Sequence, residues 1–261
     1  MINMMKAEML RVYKNRSFWI YLIIFIAVYS LCIFVQAQMQ ESSSFQTTQE
    51  TTQVGLYISV DQFLYSLNSF VTSIGATFGF LIMSIYFSSM IGQEYSSGYI
   101  KNIAILPNGR SSIFIAKIWI ALLLSLNLLF VSYLVSFILG PLMIANFQFD
   151  PVYDILQRAA LLFFLLFASF LLIAFLTTLF CRKSAGIIAT FLIASGTLLP
   201  LFDGICQMLH LPDFSKYTLS YQYATITTTL PNHALSCIVI SLAAILFYSF
   251  ISLILLRRRD F

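Results

Sequence analysis

The sequence predicts an all-α integral membrane protein with six transmembrane helices, and three observations carry that reading. Sixty per cent of the 261 residues are hydrophobic and only 9% are charged, with a mean hydropathy of +0.90. Such a chain has too little polar surface to cover itself in water. Its apolar residues fall in runs long enough to cross roughly 30 Å of hydrocarbon as helices. Its basic residues sit beside those runs and form no stripe or domain of their own. They are therefore topological, and the net charge of +4 does not point to a nucleic-acid partner.

We read one transmembrane domain over 1–261, with spans at 17–35, 63–91, 113–139, 158–180, 186–202 and 234–256. Residues 1–16 come first. On a helical wheel Ile2, Met5, Met9, Val12 and Tyr13 share one side, and Arg11, Lys14 and Asn15 share the other. That is the pattern of an interfacial amphipathic helix lying in the membrane plane; the alternative is a basic flank with no fixed structure. The first span is too long for a signal-peptide core, so it is expected to stay as an anchor. Residues 36–55 contain no Lys or Arg, are rich in Gln, Ser and Thr, and read as a flexible outer loop.

The second span carries Gly75 and Gly79 in the stretch GATFG. Small residues at that spacing let a helix approach closely, either at a seam between two subunits or in packing within one. Between the second and third spans lies the polar stretch GQEYSSGYIKNIAILPNGRSSIFIAK, from Gly92 to Lys117. Its interior reads as a short helix. Ser97 and Gly98 give a start, Tyr99, Ile100, Ile103, Ile105 and Leu106 a mostly apolar body, and Pro107 with Asn108-Gly109 an end. Apolar residues lifted from the bilayer on a connector need burial, in the membrane surface or in a groove on another protein.

The third span is expected to end at Gly140-Pro141, and residues 141–157 to form a short outer loop. The fourth span leads to Cys181-Arg182-Lys183-Ser184 on the inside, and the fifth is interrupted by Gly196 and Pro200. Residues 203–233 suit two short re-entrant helices on the outer side, or a surface loop with one short helix. The sixth span stops at Arg257, Arg258 and Arg259.

Orientation follows from the basic residues. With both termini inside, Lys6, Arg11, Lys14, Arg16, Lys101, Arg110, Lys117, Arg182, Lys183 and the three terminal arginines fall on the cytoplasmic side. Only Arg158 and Lys216 fall outside.

The span cores contain no Asp, Glu, Lys, Arg or His, and Glu94, Lys117 and Arg158 lie near span ends, where long side chains reach water. An ion-coupled carrier usually needs a titratable group at mid-depth. That reading stays as an alternative, with Asn68, Asn127 or serines as ligands, beside a membrane enzyme or a non-transporting scaffold. No zinc-protease, nucleophile-elbow or phosphate-loop motif is present. His210 and His233 read as loop residues and not as metal ligands, and the four cysteines imply no disulfide framework.

Glu94, Gly98, Pro107, Arg110 and Lys117, in the spacing E-x3-G-x8-P-x2-R-x6-K, resemble the signature of type 2 ABC transporter permeases. A version beginning GQEYSSG and ending IAK is especially similar to small bacterial permeases that export peptides such as bacteriocins and lantibiotics, or give immunity to them. The family commonly has Thr where this chain has Tyr99.

The resemblance implies a permease in the bacterial cytoplasmic membrane whose stretch from Ser97 to Leu106 is a coupling helix seated in a separate ATP-binding subunit. Two such subunits and a second permease, the same chain or a different one, are implied. ATP and Mg would sit on the partner, with no cofactor, metal or catalytic residue on this chain. Ile100, Ile103 and Leu106 would be groove contacts, and Lys101 and Arg110 would lie at the rim. Glu94 would order the loop start or line the inner mouth; its alternative is a helix-end charge in solvent.

Overall fold

A computed structural model of the protein describes residues 2–43, 67–104, 109–144, 147, 149–194, 208, 218–228 and 234–258. The described elements are helical. In order they are α1 (Ile2–Lys14), α2 (Arg16–Ser43), α3 (Leu67–Phe70), a π-helical stretch (Val71–Gly75), α4 (Ala76–Ser96), α5 (Tyr99–Ala104), α6 (Gly109–Met143), α7 (Val152–Phe180), α8 (Lys183–Ala194), α9 (Leu219–Thr228) and α10 (Ala234–Arg258). Five of them, α2, α4, α6, α7 and α10, are long and apolar enough to cross a membrane. The protein is thus an all-α integral membrane protein. α8 covers the start of the expected fifth span but has only 12 described residues, about 18 Å of helix.

α4 is the central post. It is the least apolar of the five spans, with a mean hydropathy of 1.3 against 2.3 to 2.9 for the others, yet 67% of it is buried, against 22% for α2 and 11% for α10. That inversion has a physical reason. Lipid tails are as apolar as leucine, so burial of apolar surface does not drive helices together in a bilayer; small residues and polar contacts do. α4 and the stretch before it supply them. A Cβ added at Gly79 would lie 2.8 Å from the Phe25 ring of α2 and 3.0 Å from Leu128 of α6, and one at Gly75 would lie 3.2 Å from Ser132 and Tyr29. The close approach at these two glycines is therefore made within the chain, by α2 and α6.

The same device fixes α8. Ser88 donates a hydrogen bond to the Lys183 carbonyl at 2.8 Å. A Cβ at Gly92 would lie 2.5 Å from Lys183 Cβ and 2.8 Å from its Cα. Gly186 in turn leaves room for the hydroxyls of Ser88 and Thr177. The turn from α7 into α8 passes through Cys181 in the left-handed region, at φ 52°.

Several boundaries differ from expectation. α2 continues to Ser43, because Gln, Ala, Met and Glu in residues 36–41 are good helix formers; the rest of the expected outer loop, 44–55, lies outside the described residues. α6 runs through Pro141 to Met143, and Gly140 serves packing, since a Cβ there would lie 2.4 Å from the Phe147 ring. α7 starts at Val152, so Arg158, expected as the first residue of the fourth span, lies in the second turn of the helix. Of residues 203–233, α9 is the main described part. Cys206, His210, Asp213, Lys216 and His233 lie outside the described residues.

Gly92→Ala is expected to destabilise the fold by about 1–3 kcal/mol, because its nearest obstacles include backbone atoms of Lys183 that cannot swing away. Thermal unfolding of the detergent-solubilised protein measures this, and an unchanged Tm would refute the tight α4–α8 contact.

Candidate functional site

The site is built where α4 ends. Ser97 closes the helix with its N–H on the Gln93 carbonyl at 2.9 Å, and Gly98 follows with φ 72°. Nothing lies within 4 Å of a Cβ placed on Gly98. The glycine is needed for its left-handed backbone, the usual way to stop one helix and start another, and not for space. α5 then leaves the post at a fixed angle.

Just before this turn, Glu94 is 1% exposed. Its carboxylate accepts from Arg11 of α1 at 3.0 Å and pairs through its other oxygen with Lys117 of α6, itself only 6% exposed. Arg11 also lies 3.6 Å from Glu8, which is 3% exposed. Tyr99, the first residue of α5, donates its hydroxyl to Glu8 at 3.1 Å, and its ring lies 4.9 Å from the Arg11 guanidinium. Two acids and two bases from three helices thus form a neutral cluster with a phenol at its rim. Burial, and next the Glu8 carboxylate, hold the Tyr99 phenol above its ordinary pKa. It therefore stays a protonated donor throughout the physiological range.

The C-terminal end of α1 is held as well. Tyr13 accepts a hydrogen bond from Asn127 Nδ2 of α6 at 2.9 Å. The indole N–H of Trp19 donates to the Tyr13 carbonyl at 2.9 Å, and the Asn15 side chain caps α2 at the Ser17 N–H. Asn127 and Asn68, considered above as ion ligands, have structural partners. The Asn68 N–H donates to Asp150 at 2.8 Å and its side-chain oxygen accepts from Tyr133 at 3.2 Å, at the opposite end of the bundle.

The structure moves several expected site residues. Glu94 is not in solvent, and Lys117 does not reach water; each is turned inward because the other neutralises it, which removes most of the cost of burying either alone. Arg11, assigned to the polar side of α1, faces the protein. Ile100, expected in a partner's groove, is 2% exposed in this chain's own fold. Among the described side chains of α5, Tyr99 is 36% exposed and Ile103, one turn on, is half-buried. Lys101 lies in α5 and Arg110 in the first turn of α6. Leu106 and Pro107 lie outside the described residues.

Residues 4–196, well over half of the chain and including every member of the cluster, match the family described as ABC-2 family transporter protein. The chain belongs to the ABC-2 transporter family. No curated protein matches the sequence. ABC-2 permeases are membrane transport components and not catalysts, and the family implies association with an ATP-binding cassette subunit.

Sequence reasoning about this ABC-2 permease missed Glu8 and the inward role of Arg11. The signal was present: Glu8, Arg11 and Val12 share one helical face, and Glu8 is the single acid in a basic segment.

Three variants separate the roles at this end of the ABC-2 fold. Glu94→Gln strands Lys117 and is expected to cost about 3–5 kcal/mol, most of it from that buried pair, since Arg11 is 39% exposed and screened by solvent. The double change Glu94→Gln with Lys117→Met is expected to recover most of the loss, which chemical or thermal unfolding in detergent would register. Gly98→Ala is expected to cost only about 1 kcal/mol, from backbone strain without a clash.

Proposed function

We propose that the chain is the membrane-spanning permease of an ATP-driven exporter in a bacterial cytoplasmic membrane, with both termini and α5 cytoplasmic. The observation that carries this reading is the buried cluster around Glu94. α5 is mounted through Gly98 on α4 and held by Tyr99 to α1, while Glu94 ties α1 and α6 to the same point. A displacement of α5 therefore reaches three helices at once, which is what a coupling helix requires.

In this mechanism α5 seats in a groove on an ATP-binding subunit that carries ATP and Mg. Two such subunits close on nucleotide, and each moves the α5 seated in it. The permease and a second permease, identical or different, then pass between inward- and outward-open arrangements. The basic residues support the orientation, with twelve assigned to the cytoplasmic side and two to the outer side of the chain's fourteen.

The cargo is an amphipathic peptide or a hydrophobic compound. Among the described residues, the buried charged side chains (Glu8, Glu94 and Lys117) all belong to the cluster at the α5 end. Further into the bundle the buried polar groups are mostly hydroxyls, such as Ser84, Ser169, Thr177, Thr190 and Ser241, with the amides of Asn68 and Gln222 beside them. Hydroxyls among apolar side chains suit such cargo better than a small anion.

The test is a pull-down of the solubilised protein from its native membrane, comparing wild type with Ile103→Asp. A carboxylate buried at the groove contact would cost several kcal/mol, so co-purification of the ATP-binding subunit is expected to fall at least about tenfold. Size-exclusion chromatography confirms that the variant is folded. If no nucleotide-binding protein accompanies the wild type, and transport persists without ATP, the exporter reading is wrong.

A further inference from the structure

α1 has a second face that the coupling cluster does not use. Opposite the buried Glu8 and Val12, the exposed residues are Lys6, Ala7, Leu10 and Lys14, and the exposed surface continues through Arg16 and Ser17 to Trp19 and Ile20 of α2. Leu10 is 55% exposed and Trp19 50%. Glu8, the one acid of α1, is turned inward, so this face carries three cations and no anion. No acidic side chain among the described residues pairs with any of the three.

We infer that this face docks on anionic phospholipid headgroups of the bilayer that the protein spans. Three features favour lipid over an acidic protein. The face is continuous with the exposed apolar side of α2, where Ile20, Ile23 and Ile24 meet the hydrocarbon. Cations alternate with Leu10 and Trp19, the mixture that settles at the boundary between headgroups and acyl chains. The corner between α1 and α2 is also fixed, by the Trp19 bond to Tyr13 and the Asn15 cap, so the cations keep a set position relative to the span. Each basic side chain contributes about fivefold to partitioning at an anionic surface.

α1 is thereby a two-faced helix, with Lys6 and Lys14, and Arg16 at the start of α2, toward lipid, and Glu8 and Arg11 toward Glu94 and Tyr99. Membrane charge would bias the position of α5 through it. This consequence rests on the coupling reading; the docking needs only that the chain spans a membrane.

The experiment uses the full chain in nanodiscs of phosphatidylcholine, or of phosphatidylcholine and phosphatidylglycerol in equal parts, and reads amide hydrogen exchange along α1. It needs no ATP-binding subunit, so its outcome is independent of the exporter reading. Exchange in α1 is expected to slow at least about tenfold with phosphatidylglycerol, and the effect to vanish in high salt and in the Lys6→Gln, Lys14→Gln, Arg16→Gln variant. Unchanged exchange in α6 and α7 shows that this variant is folded, and Lys6→Arg with Lys14→Arg is expected to keep the effect. Equal exchange in the two bilayers would overturn the inference. So would a lipid effect that survives in the triple variant, or protection that appears only when an ATP-binding subunit is added.

Discussion

One carboxylate organises the end of this protein that bears α5. Glu94 is buried where α4 stops, and a lone ionised carboxylate there would be prohibitively costly. Lys117 and Arg11 make the burial tolerable, and in doing so they dictate which helices meet. α6 must begin beside the end of α4 to bring Lys117 inward, and α1 must cross that end to bring Arg11. Replacing such a pair with apolar residues is often neutral for stability, so the cluster is better understood as a specifier of arrangement than as a source of free energy. Glu8 extends the logic: it balances the second cation and gives Tyr99 an acceptor.

Arrangement in the bilayer itself is set by a different means. Where water is absent, Phe and Leu gain little by meeting each other instead of lipid, so helices meet where side chains are smallest. Gly75, Gly79, Gly92 and Gly186 place α2, α6 and α8 against one post. Ser88 shows how the two means cooperate. It lies against Gly186, and its hydroxyl donates to the Lys183 carbonyl in the first turn of α8, a second bond to an oxygen that has a lone pair to spare. Steric fit sets the distance between helices, and the hydrogen bond sets their register along the axis.

What the sequence made legible follows from these two regimes. Membrane-spanning helices announce themselves by hydropathy, so the all-α architecture and the polar break from Gly92 to Lys117 were readable. The turn at Gly98 was readable from composition alone, because only glycine takes φ 72° without strain. Partnerships were not. The rule that places basic residues on one side of the membrane treats Arg11 and Lys117 as interchangeable with Lys14, whereas only the fold reveals that the first two face a buried acid. Ile100 and Ile103 look alike in sequence as apolar residues of a short helix, yet one faces in and the other is half-exposed. Pro141 and Gln36 misled for local reasons: a proline in the last turn of a long helix, and glutamines that read as loop but favour helix.

On the coupling reading proposed above, the inward face of Ile100 also constrains how force passes through α5. An apolar helix on a loose tether would swing when pulled and dissipate the displacement at its hinge, and Gly98, with open space where a side chain would stand, is such a hinge taken alone. Three restraints oppose that freedom. Ile100 is anchored in the fold, the Tyr99 hydroxyl holds Glu8, and the Arg11 guanidinium lies against the Tyr99 ring. All three act within the first two residues of α5. The start of the helix is thus pinned to the membrane domain, while Tyr99 and Ile103 keep exposed surface. A rigid mount with a free face passes displacement on without absorbing it, and here the phenol of Tyr99 takes part in both the mount and the face.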